Sequence, residues 1–146
     1  MVESYEKVLT KNDVGMTGTH QAGITVPKGN PSLLGFFPLL DYKKFNPDFE
    51  ISCIDPKGTR WIMRYVYYNG KTFSPIKSTR NEYRITHMTK FFTKWEAEPG
   101  DTVQFTSTEV KNEYNIQINK SSGKVKPDDK EAAEKPVVLR GWKAVY

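Results

Sequence analysis

A single cysteine, Cys53, among 146 residues excludes an internal disulfide and a zinc site built on cysteine thiolates. Histidine is almost as scarce. His20 and His87 stand too far apart in sequence to suggest a metal site. No apolar run approaches 18 residues, and the N-terminus lacks a signal-peptide pattern, so the chain is expected to be soluble and intracellular. It carries no P-loop, no nucleophile elbow and no internal repeat. Pro47-Asp48 followed by Asp55-Pro56-Lys57 faintly resembles the PD…DxK arrangement of magnesium nucleases, in which two acids hold the metal and the lysine helps to activate water. The spacing is short and a proline interrupts it. His87 and Lys90 have HxxK rather than HxK spacing. No metal, no cofactor and no catalytic residue is therefore expected.

What is present is an aromatic, modestly basic chain. Aromatics make up 13%, which argues for a packed core rather than disorder, and the net charge is +5. That balance permits nucleic acid or another anionic surface as partner without requiring either. The length suits one domain, residues 1 to 146. Strand patterns occur at residues 5–10, 23–27, 48–55, 59–69, 102–108 and 113–119, with a closing stretch at 137–146 and turn signals at Asn69-Gly70 and Pro99-Gly100-Asp101. Trp61, Met63, Tyr65 and Tyr67 share one face of their strand, and Ile62, Arg64, Val66 and Tyr68 the other. Asn30 followed by Pro31 predicts a capped short helix. Residues 91–95 have helical spacing, and a helical turn is predicted near Glu131 to Lys135. Cys53 is expected to be buried as a small apolar group. The pattern predicts a mainly β fold, a seven-stranded open antiparallel barrel with two short helices.

Two stretches carry the candidate chemistry. Residues 11–23, KNDVGMTGTHQAG, hold three glycines and many hydrogen-bonding side chains without helical period. A loop of that length is often functional, and its glycines allow backbone to approach a phosphate or base. Residues 77–86, KSTRNEYRIT, alternate as an extended chain should, placing Arg80, Glu82 and Arg84 on one side and Asn81, Tyr83 and Ile85 on the other. Arginine donates twice to guanine O6 and N7, and glutamate accepts from cytosine N4, so an Arg-Glu-Arg row suits a DNA major groove. The same row also fits a solvated strand face held by internal ion pairs.

TGTHQAG and, about 60 residues later, STRNEYRIT resemble the two DNA-contacting arms of the EcoRII restriction endonuclease effector domain. That family belongs to the DNA-binding pseudobarrel superfamily, with the B-three domains of plant transcription factors. WEAEPGDTVQF, residues 95–105, resembles the superfamily's hydrophobic–GD–strand signature, and the likeness spans roughly Lys7 to Asn119. It implies a pseudobarrel that grips double-stranded DNA with two arms, reads a CCWGG-like site (W being A or T) and belongs to a prokaryotic, cytoplasmic restriction enzyme whose nuclease domain lies elsewhere in the parent chain. The domain itself is expected to be monomeric. Mapped onto this chain, the first arm supplies Lys11, Asn12, Thr17, Gly18, Thr19, His20 and Gln21. The second supplies Lys77, Ser78, Thr79, Arg80, Asn81, Glu82 and Arg84. The family's lysine near Ser78 stands one step closer to the arginine than Lys77 does here. Lys11, Lys77 and Lys90 are candidate phosphate contacts. A stand-alone transcription-factor-like binder and an interaction domain with no nucleic-acid partner are the other readings open to the sequence.

Overall fold

The computed structural model describes residues 3–15, 23–121 and 141–145. Among these, eight strands form one sheet: β1 (Ser4–Val8), β2 (Ile24–Val26), β3 (Asp48–Ile54), β4 (Arg60–Tyr68), β5 (Glu82–Thr86), β6 (Thr102–Ser107), β7 (Glu113–Asn119) and β8 (Trp142–Val145). They run in the order β2-β5-β4-β3-β7-β6-β1-β8. The sheet curls into an open half-barrel. Its two edge strands meet where the Trp142 indole N–H of β8 donates to the Thr25 carbonyl of β2 at 2.8 Å.

The curl encloses one apolar cluster. Met63 and Tyr65 of β4 are fully buried with Ile51, Cys53, Ile85 and Phe105, as strict alternation predicts. Phe37 sits at the centre, with its ring 5.2 Å from Tyr65, 5.6 Å from Phe105 and 6.0 Å from Trp142. It arrives there from α1 (Pro31–Phe36), which starts as the sequence predicts: Asn30 Oδ1 accepts from the Leu33 amide at 2.9 Å, with Pro31 behind it. The second predicted helix is α3 (Thr89–Lys94), which begins two residues before the expected stretch and buries Phe91 and Phe92.

The expected fold class holds, with three refinements. The closing stretch supplies a full eighth strand, β8, paired to β1. A third short helix, α2 (Gly70–Phe73), replaces the simple turn at Asn69-Gly70. Its cause is tertiary: the buried Asn69 amide donates to the Lys44 carbonyl at 2.7 Å and trades hydrogen bonds with Asn46. One neighbouring pair, β3 with β7, is parallel rather than antiparallel. That pairing joins strands about sixty residues apart, and local alternation carries no information about it. The predicted helical turn at 131–135 lies outside the described residues.

Two buried aspartates pin the turns. Asp55 Oδ1 accepts from the amides of Lys57 and Thr59, and Oδ2 from both indoles, Trp61 at 2.9 Å and Trp95 at 3.1 Å. Burial pushes its carboxyl up, but these four donors together outweigh burial and hold it below the usual value. Asp101, in the Gly100-Asp101 signature, likewise accepts from the amides of Glu98 and Ser121 and pairs with Lys120 at 2.7 Å. Gly100 has φ +98°, a backbone that the turn needs and glycine adopts without penalty.

Candidate nucleic-acid interface

Strands β2, β5, β4 and β3 turn one face to the core and the other outward. Register places Thr25 of β2 beside Arg84 of β5, Arg84 beside Val66 of β4, Glu82 beside Tyr68, and Thr86 beside Arg64. The outer face is thus a layer of polar side chains over Val66, which is fully buried beneath them. Three arginines (64, 80 and 84) share it with Asp48, Glu50 and Glu82. Among the described residues Thr86 Oγ1 is buried with no hydrogen-bond partner.

The alternation expected of the second stretch is present. Arg80, Glu82 and Arg84 meet on the outer side: Glu82 Oε2 lies 3.0 Å from Arg80 Nη2 and 4.0 Å from Arg84 Nη1. On the other side, the Tyr83 ring stacks on Tyr67 at 4.4 Å, and the Tyr67 hydroxyl donates to Asn81 Oδ1 at 2.7 Å. The strand itself starts at Glu82, so residues 74–81 approach it as a loop. α2 holds that loop: the Lys71 amide donates to the Arg80 carbonyl at 2.9 Å, and Ser78 Oγ accepts from the Arg80 amide. Ser78 packs on Gly70 so closely that a Cβ there would overlap it. Lys77, Thr79 and Arg80 are exposed.

The arginines differ in availability. The Arg80 side chain is 50% exposed, and its guanidinium lies 3.7 Å over the Tyr68 ring. Arg84 is only 16% exposed and donates to Thr25 Oγ1 at 3.0 Å. Ion pairs therefore do hold the row in the free protein. At a surface such pairs are worth about 0–1 kcal/mol, against about 1–3 kcal/mol of discrimination for a bidentate base contact, so the Arg80 pair does not prevent it from serving a base.

Of the first stretch, Lys11 and Asn12 are described and exposed, on a turn closed by the Val14 amide on the Thr10 carbonyl, the Gly15 amide on the Asn12 carbonyl and reciprocal bonds between Thr10 and Asp13. Thr17, Gly18, Thr19, His20 and Gln21 lie outside the described residues. The two roots of the loop are described. Buried Asp13 pairs with buried Lys7 at 2.6 Å, and its carbonyl accepts from the Gly23 amide at 2.9 Å. A Cβ on Gly23 would stand 2.7 Å from the Ile85 carbonyl oxygen and 3.3 Å from Arg84 Nη2. The end of the first stretch thus rests directly on the strand of the second.

The expectation of no metal centre rested on spacing. Asp48 opens β3 and Asp55 follows its last residue, so roughly 23 Å of extended chain separates them. Asp48 pairs with Arg64 at 2.7 Å, while Asp55 is saturated by the turn it caps. Sequence reasoning placed Arg64 and Tyr68 on one strand face but missed that this face, with Thr25, adjoins the row of Arg80, Glu82 and Arg84. The available signal was an arginine sharing a strand face with a tyrosine in β4.

Comparison with known proteins gives the family and the fold. The curated proteins it resembles include the Type II restriction enzyme EcoRII of Escherichia coli, 36% identical in an alignment of 90 residues that covers 56% of this chain and 20% of that protein. Another is Auxin response factor 14 of Oryza sativa subsp. japonica, 37% identical over 67 residues, 46% of this chain and 9% of that one. The chain thus spans a fifth or less of the length of either relative. Among solved structures, the N-terminal domain of Helicobacter pylori LlaJI.R1 shares the fold with a TM-score of 0.52 and 13% identity, covering 99% of this chain and 98% of that one. The family described as "Restriction endonuclease EcoRII, N-terminal" matches residues 1–125, and the chain belongs to that family.

Proposed function

We propose that this chain is a sequence-specific double-stranded DNA recognition domain, non-catalytic in itself, of the effector type found at the N-terminus of EcoRII-like restriction endonucleases. The observation that carries the reading is the placement of Glu82 between two guanidiniums on a polar outer face, beside the root of the glycine-rich loop. A carboxylate facing a polyanion is unfavourable unless it accepts from a base or orients an arginine. Both ion pairs fall on Oε2, so Oε1 is the oxygen that accepts from cytosine N4, while Arg80 turns to guanine O6 and N7. Asn81 and Ser78 read or brace alongside, and Arg84 holds β2 to β5 under Glu82. From the first arm, Thr17, Gly18, Thr19, His20 and Gln21 enter the same groove, with Lys11, Lys77 and Lys90 on phosphates. Three good base contacts at about 1–3 kcal/mol each reach the roughly 4–10 kcal/mol that separates specific from non-specific binding.

The target on this reading is a CCWGG-like duplex, and the domain, residues 1–146, acts as a monomer in a prokaryotic cytoplasm as part of a longer restriction enzyme. Similarity to an auxin response factor favours a second reading, a stand-alone transcriptional binder with the same grip. The test is a binding titration with CCWGG and scrambled duplexes. The wild type should prefer the site, and Arg80→Ala and Glu82→Ala should each lose that preference at unchanged melting temperature. Equal affinity of the wild type for both duplexes, or site preference surviving in both variants, overturns the assignment.

A further inference from the structure

The Arg80 guanidinium lies 3.7 Å over the Tyr68 ring, and its edge meets Glu82 at 3.0 Å. Tyr68 and Glu82 are direct cross-strand partners, so ring and carboxylate close on the guanidinium from two adjoining strands. Tyr68 lies on the outer face, apart from the apolar cluster. Its other contacts are polar as well: Arg64 Nη1 donates to its hydroxyl at 3.4 Å, and Arg64 is itself fixed by Asp48 at 2.7 Å. A half-exposed arginine with four rotatable bonds samples many rotamers, and ordering it on binding costs affinity. A ring under the plane leaves the donor edge free while removing most of those rotamers.

We propose that Tyr68 is a positioning residue for sequence reading. Its ring holds the Arg80 guanidinium flat, with the donor edge turned outward, so discrimination at the base pair that Arg80 reads depends on the ring and not on the hydroxyl. This rests on the assignment of Arg80 as a base reader.

The experiment begins with selection from a randomised duplex library by the wild-type protein. Affinities are then measured for the selected duplex and each of its single-base-pair variants, with Tyr68→Leu, Tyr68→Phe, Arg80→Ala and the Tyr68→Leu/Arg80→Ala double variant. Tyr68→Leu should lose between about 3-fold and 30-fold in discrimination at the base pair that Arg80→Ala also relaxes, and little elsewhere. Tyr68→Phe should discriminate as the wild type does. The double variant should match Arg80→Ala alone, because the ring acts only through that side chain. Full discrimination in Tyr68→Leu, or an equal loss at every position, or additive losses in the double variant would overturn the role of Tyr68 while leaving the recognition reading intact. Failure of the wild type to select any sequence would remove both.

Discussion

Single residues set how the outer face and the turns work, and they were unevenly legible. The alternation in residues 80–85 was enough to place Arg80, Glu82 and Arg84 together, because an extended chain has a period of two whatever surrounds it. The sequence did not separate exposed Arg80 from Arg84, whose hydrogen bond to Thr25 comes from a strand 59 positions away. Asp55 was misleading for a related reason. In sequence it is half of a faint nuclease pattern, whereas in the fold it is the acceptor for two indoles and two backbone amides. That role makes a prediction about acid. Its folded pKa is below the ordinary value of 3.8, as is that of Asp101. A group depressed in this way contributes its full stability above the unfolded value and loses it as pH falls through the lower folded value. Stability measured by chemical denaturation should therefore hold between pH 7 and 5 as far as these groups are concerned, and fall below about pH 4. Asp55→Ala should lose about 1–3 kcal/mol at neutral pH through its stranded donors and show a shallower acid fall. A variant with unchanged neutral stability would contradict the capping role.

At the scale of elements, the decisive contact is a backbone one. β2 is three residues long and, among the described strands, pairs its backbone only with β5, so the end of the glycine-rich loop is only as well placed as the Gly23–Ile85 approach allows. Gly23→Ala sets a methyl against the Ile85 carbonyl oxygen, which belongs to a strand paired on both sides and has little room to yield. The expected cost is about 1–3 kcal/mol of stability, with weaker duplex binding although glycine brings no side chain to the groove. Denaturation midpoints with paired binding titrations check it, and a fully stable, fully binding variant would show that β2 can shift freely. A glycine in a loop suited to close approach was legible from the residues alone. The sequence could not say that the approach is to the protein's own strand rather than to a ligand. α2 was missed for the opposite reason: four residues have no helical period to detect, and Asn69 and Ser78 fix them from outside.

Over the whole molecule, the half-barrel brings its polar outer face together by closing one end. The sheet begins at β2 and ends at β8, and the Trp142 indole spans the gap to the Thr25 carbonyl. Thr25 also receives Arg84 on its hydroxyl, so a single residue links closure of the barrel to the strand that carries Glu82. Strand content and class were readable from alternation, but closure was not, because it joins positions 117 apart in the chain. Trp142→Phe keeps a ring against Phe37 and Phe105 and removes only the donor. The net cost in stability should be modest, about 0.5–1.5 kcal/mol, yet its effect should be local. Hydrogen exchange should quicken at the β2 amides and at their β5 partners, while β3 and β4, paired on both sides at the centre of the sheet, keep their protection. Site preference should weaken in step with the loss of β2 protection if closure is what sets the spacing of the two arms. Protection of β2 as strong as in the wild type would show instead that the strand is held by β5 alone and that Trp142 serves only the core.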